Sequence, residues 1–533
     1  MNENRRRNIQ QLRWAATSNP NDPLAQAELG EALLDREEIS DSIPYLRRAC
    51  ELNPGEASHS FQLGRALAFQ AQYEAAAERF DAARKLKPSW SLPYRRLGGI
   101  CIERLSRWDQ ARRVFLQALQ NDRSDWTAYT GLGRCCIQGR DSLRARQEAR
   151  RLAPPIADRD AIDMGVARAL EIHGRYAEAL ECYTDAADTD RNRSEALGGI
   201  ARLTEVLGDP ATAQSCHQLA LQTGELEHKE AFARYLFRIS EFDLARKLWC
   251  ETQPEWNSFS QARGAPARTV LLDTATGGYG DTLQFVRLAG WLKQAGARTI
   301  IQCQASACGL AETVPGVDLA VARHDPRPAA DCVLAPGVEA FLLLNTGFES
   351  GNLPPYVRPS TALQGLWRER TKCWPPCRVG IVWRGSGFSS CDKYTNRTVP
   401  LSMFRSMAQI PGVTLFSLQL GPGARDVKLD RDIPVVDLAG HIETFSDTAA
   451  AALALDLVVS VDTSVAHLAG ACGVPVFVLL PFRCCHRWLQ QREDTPWYRS
   501  MKLFRQRTPG DWAEVMQRLV VDVRKFPAAS NSY

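Results

Sequence analysis

Two short segments of the chain combine glycine, hydroxyl-bearing and charged residues in patterns that can do chemistry. In the first segment, Gly277, Gly278 and Gly280 follow an apolar run and lead into Asp281. Glycines at such a point let the backbone turn sharply and approach a substrate closely. Asp281 opens the helical pattern that follows, so it is either an N-cap or a carboxylate exposed as a general base. The spacing alone favours the cap.

The second segment places Asp462, Thr463 and Ser464 between an apolar run and a helical pattern that carries His467. Hydroxyl groups and free backbone N–H groups at a helix start form a site for phosphate, helped by the positive end of the helix dipole. One helix end contributes only about 0.3 to 2 kcal/mol toward an anion, so a diphosphate also needs cationic side chains. His467, taken alone, is more typical of a buried helix histidine than of a ligand.

Cationic residues of the required kind follow the apolar run 378–383. The segment that follows contains three cations among small residues, as expected of a phosphate-binding loop: Arg384, Lys393 and Arg397. Gln419 and the helix predicted to begin near Phe445 are candidates for nucleobase selection by their position in the predicted fold. A D-x-D pattern at 430–432 lies outside these motifs and is the alternative in which a metal ion holds the diphosphate.

Strands and helices must alternate to position these motifs. Apolar runs rich in β-branched residues predict strands at 269–275, 299–304, 378–383, 414–420, 457–462 and 474–480. Near-continuous runs of this kind are typical of parallel strands that are covered on both faces. Ligands of such sheets bind outside the carboxyl ends of the strands, where both motifs fall.

A proline-rich break separates the first two predicted strands from the other four. This break predicts two Rossmann-like lobes, 269–360 and 377–533, that face each other across a cleft. A final helix is predicted over 511–526. The C-terminal half is therefore expected to be α/β.

The N-terminal half has a different period. Pro20, Pro54 and Pro88 recur at a spacing of 34 residues, which is the period of the tetratricopeptide repeat. We therefore predict an all-α repeat superhelix over 1–253, joined by a linker at 254–268. Its concave groove is the usual peptide-binding surface of such arrays. A spacer or oligomerisation arm without a ligand is the alternative.

Composition and charge exclude several classes of protein. The chain has 533 residues, which predicts several domains, and its formal net charge of +4 gives no general electrostatic case for nucleic acid or an anionic membrane. The start of the chain lacks the apolar region of a secretion signal, and the apolar stretch 449–461 is too short to span a bilayer. The 16 cysteines lack the CxxC spacing of metal or redox sites. We expect a cytoplasmic protein with buried thiols, no transmembrane segment and no nucleic-acid partner.

At the two motifs, the C-terminal half resembles the ADP-heptose:lipopolysaccharide heptosyltransferase family of GT-B glycosyltransferases. The resemblance rests on G-x-G-D at 278–281 and D-T-[SG]-x-x-H-x-A at 462–469, and it covers roughly 269–523. It implies that Asp281 is the catalytic base and that Thr463, Ser464 and His467 contact the donor diphosphate.

The order of the two halves carries a second resemblance. Repeats followed by such a domain are similar to bacterial tetratricopeptide-repeat glycosyltransferases, including those that modify flagellin, and more distantly to O-GlcNAc transferase. This resemblance implies a protein or peptide acceptor that the repeat groove binds.

The sequence therefore predicts an inverting, metal-independent glycosyltransferase with Asp281 as the base. A nucleotide sugar is the expected co-substrate, and no cofactor or metal is expected. The predicted donor-binding residues are Gly278, Gly280, Arg384, Lys393, Arg397, Gln419, Asp462, Thr463, Ser464 and His467. Two alternatives stay open: an interaction scaffold with a catalytically silent GT-B domain, and an enzyme whose acceptor is a glycan or a lipid-linked sugar.

Overall fold

The structure is a computed structural model, and it forms two compact units, Met1–His228 and Lys229–Tyr533. It describes residues 9–36, 38–154, 158–187, 193–252, 268–275, 277–335, 354–375, 377–385, 397–430, 432–482, 484–490 and 492–526.

The first unit is built from antiparallel helix pairs, and its described residues contain no strand. Its helices are α1 (Ile9–Ser18), α2 (Pro23–Asp35), α3 (Ile39–Leu52), α4 (Ala57–Phe69), α5 (Tyr73–Leu86), α6 (Ser91–Glu103), α7 (Trp108–Asn121), α8 (Trp126–Cys136), α9 (Ser142–Leu152), α10 (Arg159–Ile172), α11 (Tyr176–Ala187), α12 (Arg193–Val206) and α13 (Pro210–Leu221). One buried apolar cluster extends from Leu34 to Ala220. A continuous core of this kind is how stacked repeats bury the apolar faces that no single pair can bury alone.

Glycines let the two helices of a repeat approach each other. A Cβ atom on Gly64 of α4 would lie 2.8 Å from the Phe80 ring of α5, and one on Gly98 of α6 would lie 2.4 Å from the Phe115 ring of α7. Contacts this short leave no room for a methyl group. The regular spacing of these glycines in the sequence therefore reflects close helix packing.

Substituting alanine for Gly98 is expected to destabilise the repeat array by about 1 to 3 kcal/mol, because the new methyl group overlaps the buried Phe115 ring. Gly99, on the same helix, is the matched control. The structure places no atom within 4 Å of its Cβ position, so Gly99→Ala should stabilise the helix by about 0.5 to 1 kcal/mol. Thermal unfolding of the full chain measures both effects. Equal effects of the two substitutions would contradict the packing.

The helix pair that the sequence places at the end of the array lies largely in the second unit. This pair consists of α14 (Leu226–Arg238) and α15 (Phe242–Thr252). Phe237 stacks on Trp497 with ring centroids 6.3 Å apart, and the Gln490 N–H donates to the Arg238 carbonyl over 3.1 Å. The boundary between the two compact units falls after His228, and Phe237 of α14 is buried against Trp497. All of the predicted linker at 254–268 except residue 268 lies outside the described residues, so its position stays a prediction.

The second unit contains two sheets whose strand pairs are all parallel in the described residues. The strands of the first sheet are β1 (Thr269–Asp273), β2 (Arg298–Cys303), β3 (Leu319–Ala322) and β4 (Cys332–Leu334), in the order β3-β2-β1-β4. The strands of the second sheet are β5 (Arg378–Val382), β6 (Thr414–Ser417), β7 (Val435–Asp437), β8 (Leu457–Val461), β9 (Val476–Leu480) and β10 (Met501–Arg505), in the order β10-β9-β8-β5-β6-β7. All six predicted strands form.

Helices connect these strands. They are α16 (Tyr279–Phe285), α17 (Leu288–Gln294), α18 (Ala305–Ala311), α19 (Thr361–Thr371), α20 (Arg405–Ala408), α21 (Asp426–Leu429), α22 (Phe445–Leu453), α23 (Ser464–Cys472) and the predicted final helix α24 (Trp512–Lys525). Short 3-10 turns lie at Leu401–Phe404, Gly421–Arg425, Ala439–His441 and His486–Trp488. None of the described helices has both the length and the apolar character needed to cross a membrane.

Candidate functional site

Each sheet has one strand beside which the chain order reverses. β1 lies between β2 and β4, and β5 lies between β6 and β8. Ligands of open parallel sheets bind outside the carboxyl ends of the strands at such switch points. The glycine-rich turn before Asp281 follows β1, Arg384 follows β5, and Asp462 follows β8. The two motifs and the arginine therefore lie where the fold is expected to bind a ligand.

Helices α16 and α23 bring the two motifs into direct contact. A Cβ atom on Gly280 would lie 2.9 Å from Cδ2 of His467, so only glycine fits between the two helices without a shift. The aromatic rings of Tyr279 and Phe445 also meet, with centroids 4.6 Å apart. The structure thus assigns Gly280 to the close approach of the helices, and its predicted donor contact stays a prediction.

Asp281 is both a helix cap and one partner of an ion pair. Its Oδ2 accepts a hydrogen bond of 2.8 Å from the Gly278 N–H, and its Oδ1 accepts one of 2.7 Å from Nη2 of Arg487. Burial alone would raise the pKa of Asp281, but the Arg487 charge and these hydrogen bonds hold the pKa below its ordinary value. The side chain is 31% exposed. Its remaining lone pairs can therefore still accept a hydrogen bond from a ligand.

Arg487, in the connection between β9 and β10, joins the two helices. In addition to Asp281, its Nη1 donates to Oε1 of Gln284 over 2.8 Å, and its Nε donates to Sγ of Cys485 over 3.2 Å. Its side chain is only 14% exposed. The buried guanidinium is therefore held in one orientation by three groups around it.

His467 lies inside this contact and is 2% exposed. Its Nδ1 lies 2.9 Å from the Tyr498 hydroxyl, its Nε2 lies 3.5 Å from Nη1 of Arg487, and its ring stacks on Trp488. Burial and the neighbouring Arg487 charge lower the pKa of His467 to about 3. At neutral pH the imidazole is uncharged, so Nε2 accepts from Arg487 and Nδ1–H faces Tyr498. The role this geometry shows is packing between helices, and the predicted donor contact of His467 stays a prediction.

The buried, neutral His467 makes stability depend on pH. The unfolded histidine has a pKa of about 6.5, whereas the pKa of the folded histidine is about 3. The unfolded chain therefore binds an extra proton below about pH 6.5, and stability falls by up to about 1.4 kcal/mol per pH unit as the pH drops toward the folded pKa. We expect the fall in Tm between about pH 7 and about pH 5 to be smaller in His467→Gln than in the wild type. The exposed His441→Gln is the control, and identical pH dependence in all three proteins would contradict a buried, neutral His467.

The N-terminus of α23 has no side-chain cap. The Thr463 hydroxyl lies 2.9 Å from the Ser460 hydroxyl and makes no capping bond to the backbone N–H groups of the helix. Ser464, the first residue of the helix, is half-buried. The first N–H groups of α23 therefore receive no hydrogen bond from the Thr463 side chain, and helix N-termini with such groups are places where anions bind in proteins.

Two of the three predicted cations lie in the described residues, at the carboxyl edge of the second sheet. Arg397 donates to the Asp462 carbonyl, and its Nη1 lies 3.8 Å from the Asp462 carboxylate. Burial raises the pKa of Asp462, and the Arg397 charge offsets part of that rise. Arg384 is half-buried, and its guanidinium makes no hydrogen bond or ion pair with the described residues. Lys393 lies outside the described residues.

The side-chain amide of Gln419 binds neighbouring backbone groups. Its Oε1 accepts from the N–H groups of Trp383 and Arg384, over 3.2 and 2.9 Å, and its Nε2 donates to the Leu420 carbonyl. The side chain thus ties the end of β6 to the end of β5. It positions the backbone from which Arg384 projects, and contact with a nucleobase stays a prediction.

The two aspartates of the D-x-D pattern form ion pairs with an arginine. The carboxylates of Asp430 and Asp432 lie 3.8 and 3.5 Å from the guanidinium of Arg405. Among the described residues, no group of three or more His, Cys, Asp or Glu side chains could hold a metal ion. These acidic side chains therefore act as partners of an arginine.

Sequence reasoning missed the residues that join the two sheets. Arg287 donates to the Trp497 carbonyl and to the Tyr356 hydroxyl, both over 2.8 Å, and its guanidinium lies over the Tyr498 ring. Arg487, Trp497 and Tyr498 come from the connection after β9. The density of arginine and aromatic residues over 487–499 was the signal that could have pointed to them.

The N-terminal part of the chain is similar to a known family of repeats. A family model of the tetratricopeptide repeat matches residues 2–57 and 103–161. Together with the paired helices and the glycines at their close contacts, this match shows that the first unit carries tetratricopeptide repeats.

Individual relatives share part of the chain. "Protein FlbA" of Caulobacter vibrioides is 25% identical over 206 residues, which are 37% of this chain and 32% of the relative. The chain thus spans about a third of the length of this curated relative. Two solved structures are YrrB, "a TPR protein with an unusual peptide-binding site" (15% identity, 40% of this chain and 93% of that chain), and Pseudomonas aeruginosa pilF (22% identity, 39% and 95%), each with a TM-score of 0.25. The repeat assignment rests on the family model and on the helix packing.

Proposed function

We propose that this protein is a metal-independent, inverting glycosyltransferase of the GT-B type that moves a sugar from a nucleotide-sugar donor to an acceptor hydroxyl. The observation that carries the proposal is that α16, which holds Asp281, packs through Gly280 against His467 in the first turns of α23, and that these two helices follow the carboxyl ends of strands in two parallel sheets. A carboxylate on one side and an anion site on the other are what such a transfer requires.

In the proposed reaction, Asp281 accepts the proton of the acceptor hydroxyl. The hydroxyl oxygen forms a bond to the anomeric carbon of the sugar while the bond from that carbon to the diphosphate oxygen breaks. The nucleoside diphosphate leaves with the bonding electron pair. Because the new bond forms on the face opposite to the leaving group, the configuration at the anomeric carbon inverts.

Stabilisation of the leaving diphosphate is assigned to the edge of the second sheet. The uncapped N–H groups of α23 and the Ser464 hydroxyl offer hydrogen bonds, and Arg384 offers a positive charge that no described residue neutralises. Charge-assisted hydrogen bonds from arginine to phosphate are among the stronger polar contacts in proteins. These groups can balance a charge that one helix end cannot balance alone.

The acceptor in this proposal is a protein or peptide that the tetratricopeptide repeats recruit. Stacked repeats expose an extended surface on which chains of other proteins bind. We place the reaction in the cytoplasm, because Cys101, Cys135 and Cys182 are buried thiols of the kind that a reducing compartment preserves.

A thermal-shift screen of the full chain against nucleotide sugars and free nucleoside diphosphates tests the proposal. A ligand that binds only the native state at about 100 times its Kd stabilises the protein by about 2.7 kcal/mol. We expect one nucleotide series to raise Tm and inorganic phosphate alone to have a much smaller effect. The best donor is then incubated with candidate acceptors, and intact-mass analysis detects the added sugar. No shift with any nucleotide series would contradict the proposal.

One observation favours the interaction scaffold as the second candidate. Both oxygens of the Asp281 carboxylate accept hydrogen bonds within the protein, and its pKa is lowered, as expected of a structural ion pair. A scaffold with a silent C-terminal half would bind a partner protein but would show neither donor binding nor donor turnover. The same screen, followed by a donor-hydrolysis assay, separates the two functions.

A further inference from the structure

Among the described residues, Arg487 is the cation that pairs with the Asp281 carboxylate, and its side chain is mostly buried. Its Nη2 donates to Asp281 over 2.7 Å, and the same guanidinium donates through Nη1 to Gln284, one turn further along the same helix. Two side chains of α16 are thus bound by one planar group. A guanidinium held at two points fixes the direction from which it approaches the carboxylate.

Among the described residues, Asp281 is the one carboxylate that accepts a hydrogen bond from Arg487. His467 offers a neutral ring nitrogen at 3.5 Å, and Cys485 offers sulfur at 3.2 Å. Asp462 approaches the same ring nitrogen, with its Oδ1 3.9 Å from Nε2 of His467, and its charge also acts on Arg487. Arg487 therefore acts on Asp281 through a direct charge-assisted hydrogen bond and on Asp462 without one.

We propose that Arg487 is a positioning residue for the reaction: it orients the Asp281 carboxylate toward the acceptor hydroxyl and sets the pH range in which that carboxylate acts as a base. This inference rests on the proposed function, because it concerns the proton acceptor of the same transfer. Asp281 keeps lone pairs that Arg487 and Gly278 do not use, so an acceptor hydroxyl can approach a carboxylate whose plane is already fixed.

The pH effect follows from the groups that face the carboxylate. Among the described residues, the titratable groups around Asp281 are Arg487 and Cys485 from the β9–β10 connection and His467 from α23, and His467 is neutral. An arginine next to an aspartate lowers the pKa of that aspartate by about 1 to 3 units. Removal of the Arg487 charge should therefore raise the pH below which Asp281 is protonated and inactive.

The test is the pH dependence of kcat/KM for sugar transfer by the full chain, since this dependence reports groups of the free enzyme. We expect Arg487→Gln to move the acidic limb of the profile upward by about one pH unit or more. Arg487→Lys retains a charge but cannot bond to Asp281 and Gln284 together, so it should lower the rate while moving the limb less. Arg492→Gln is the matched control, because Arg492 lies in the same connection and pairs with Asp494 at the surface.

The outcomes separate this inference from the proposed function. A wild-type protein that transfers sugar, together with Arg487 variants that change the rate but leave the acidic limb in place, would overturn the positioning role and leave the glycosyltransferase intact. A wild-type protein without donor binding or transfer would overturn the proposed function itself. If Arg487→Gln does not fold, Arg487→Lys decides the matter, because a limb at the wild-type position together with wild-type kcat contradicts the inference.

Discussion

Replacing Asp281 by asparagine is expected to lower the rate of sugar transfer by about 10²- to 10⁴-fold, the usual contribution of a general base. Asparagine has nearly the same shape, and its carbonyl oxygen can still accept from the Gly278 N–H or from Arg487. What it loses is the ability to take a proton. Donor affinity should change little, because the proposed diphosphate site is at the edge of the second sheet, whereas Asp281 follows the first. Steady-state kinetics and calorimetry on the same preparation measure the two effects separately.

The control for this substitution is Asp511→Asn. Asp511 is the N-cap of α24 and accepts from the Glu514 N–H over 3.1 Å, so like Asp281 it is a carboxylate that stabilises a helix start, but it lies on a helix outside the candidate site. Its replacement should leave transfer unchanged, and Tm values of both variants show that the fold is retained. Transfer at the wild-type rate by a folded Asp281→Asn protein would remove Asp281 from the mechanism.

Replacing Arg384 by glutamine is expected to weaken binding of the nucleoside diphosphate by about 10- to 100-fold. A hydrogen bond to a charged group contributes about 1.5 to 3 kcal/mol, and each 1.4 kcal/mol is a factor of ten in affinity. Because the guanidinium has no partner in the described part of the chain, its loss should cost the fold little. Titration calorimetry with the best nucleoside diphosphate gives the change in Kd directly.

Arg405→Gln is the matched control for Arg384. Arg405 lies in the same half of the chain but binds the two carboxylates of the D-x-D pattern, away from the switch point. Its loss should leave nucleotide affinity unchanged. An equal loss of affinity in both variants would mean that the positive charge acts at long range, and an effect of Arg405 alone would move the diphosphate to the D-x-D region.

The sequence predicted the buried strands well and the edge strands not at all. All residues of β8 are buried, and all of them except Ser460 are apolar, so β8 leaves a near-continuous apolar run rich in valine that predicts a strand. β4 and β7 have three residues each and are partly exposed, so they leave no such pattern. Their pairing with β1 and β6 depends on strands distant in sequence, and no local signal records it.

Part of the candidate site could also be predicted from the sequence. The rule that ligands bind at the carboxyl ends of parallel strands was enough to predict that Asp281 and the turn after β8 belong to one region. Arg487 could not be placed in this way, because it comes from a connection without helical or strand periodicity and its position depends on tertiary packing. Gln419 shows the opposite case, since its location was predicted but its amide binds neighbouring backbone.

A crystal structure of the full chain with the nucleoside diphosphate that gives the largest thermal shift would locate the proposed donor site. We expect the diphosphate oxygens to accept hydrogen bonds from the first N–H groups of α23 and from Arg384, with the Asp281 carboxylate facing the terminal phosphate. A diphosphate bound elsewhere on the protein, or an Asp281 side chain sealed off from the bound ligand, would contradict this expectation.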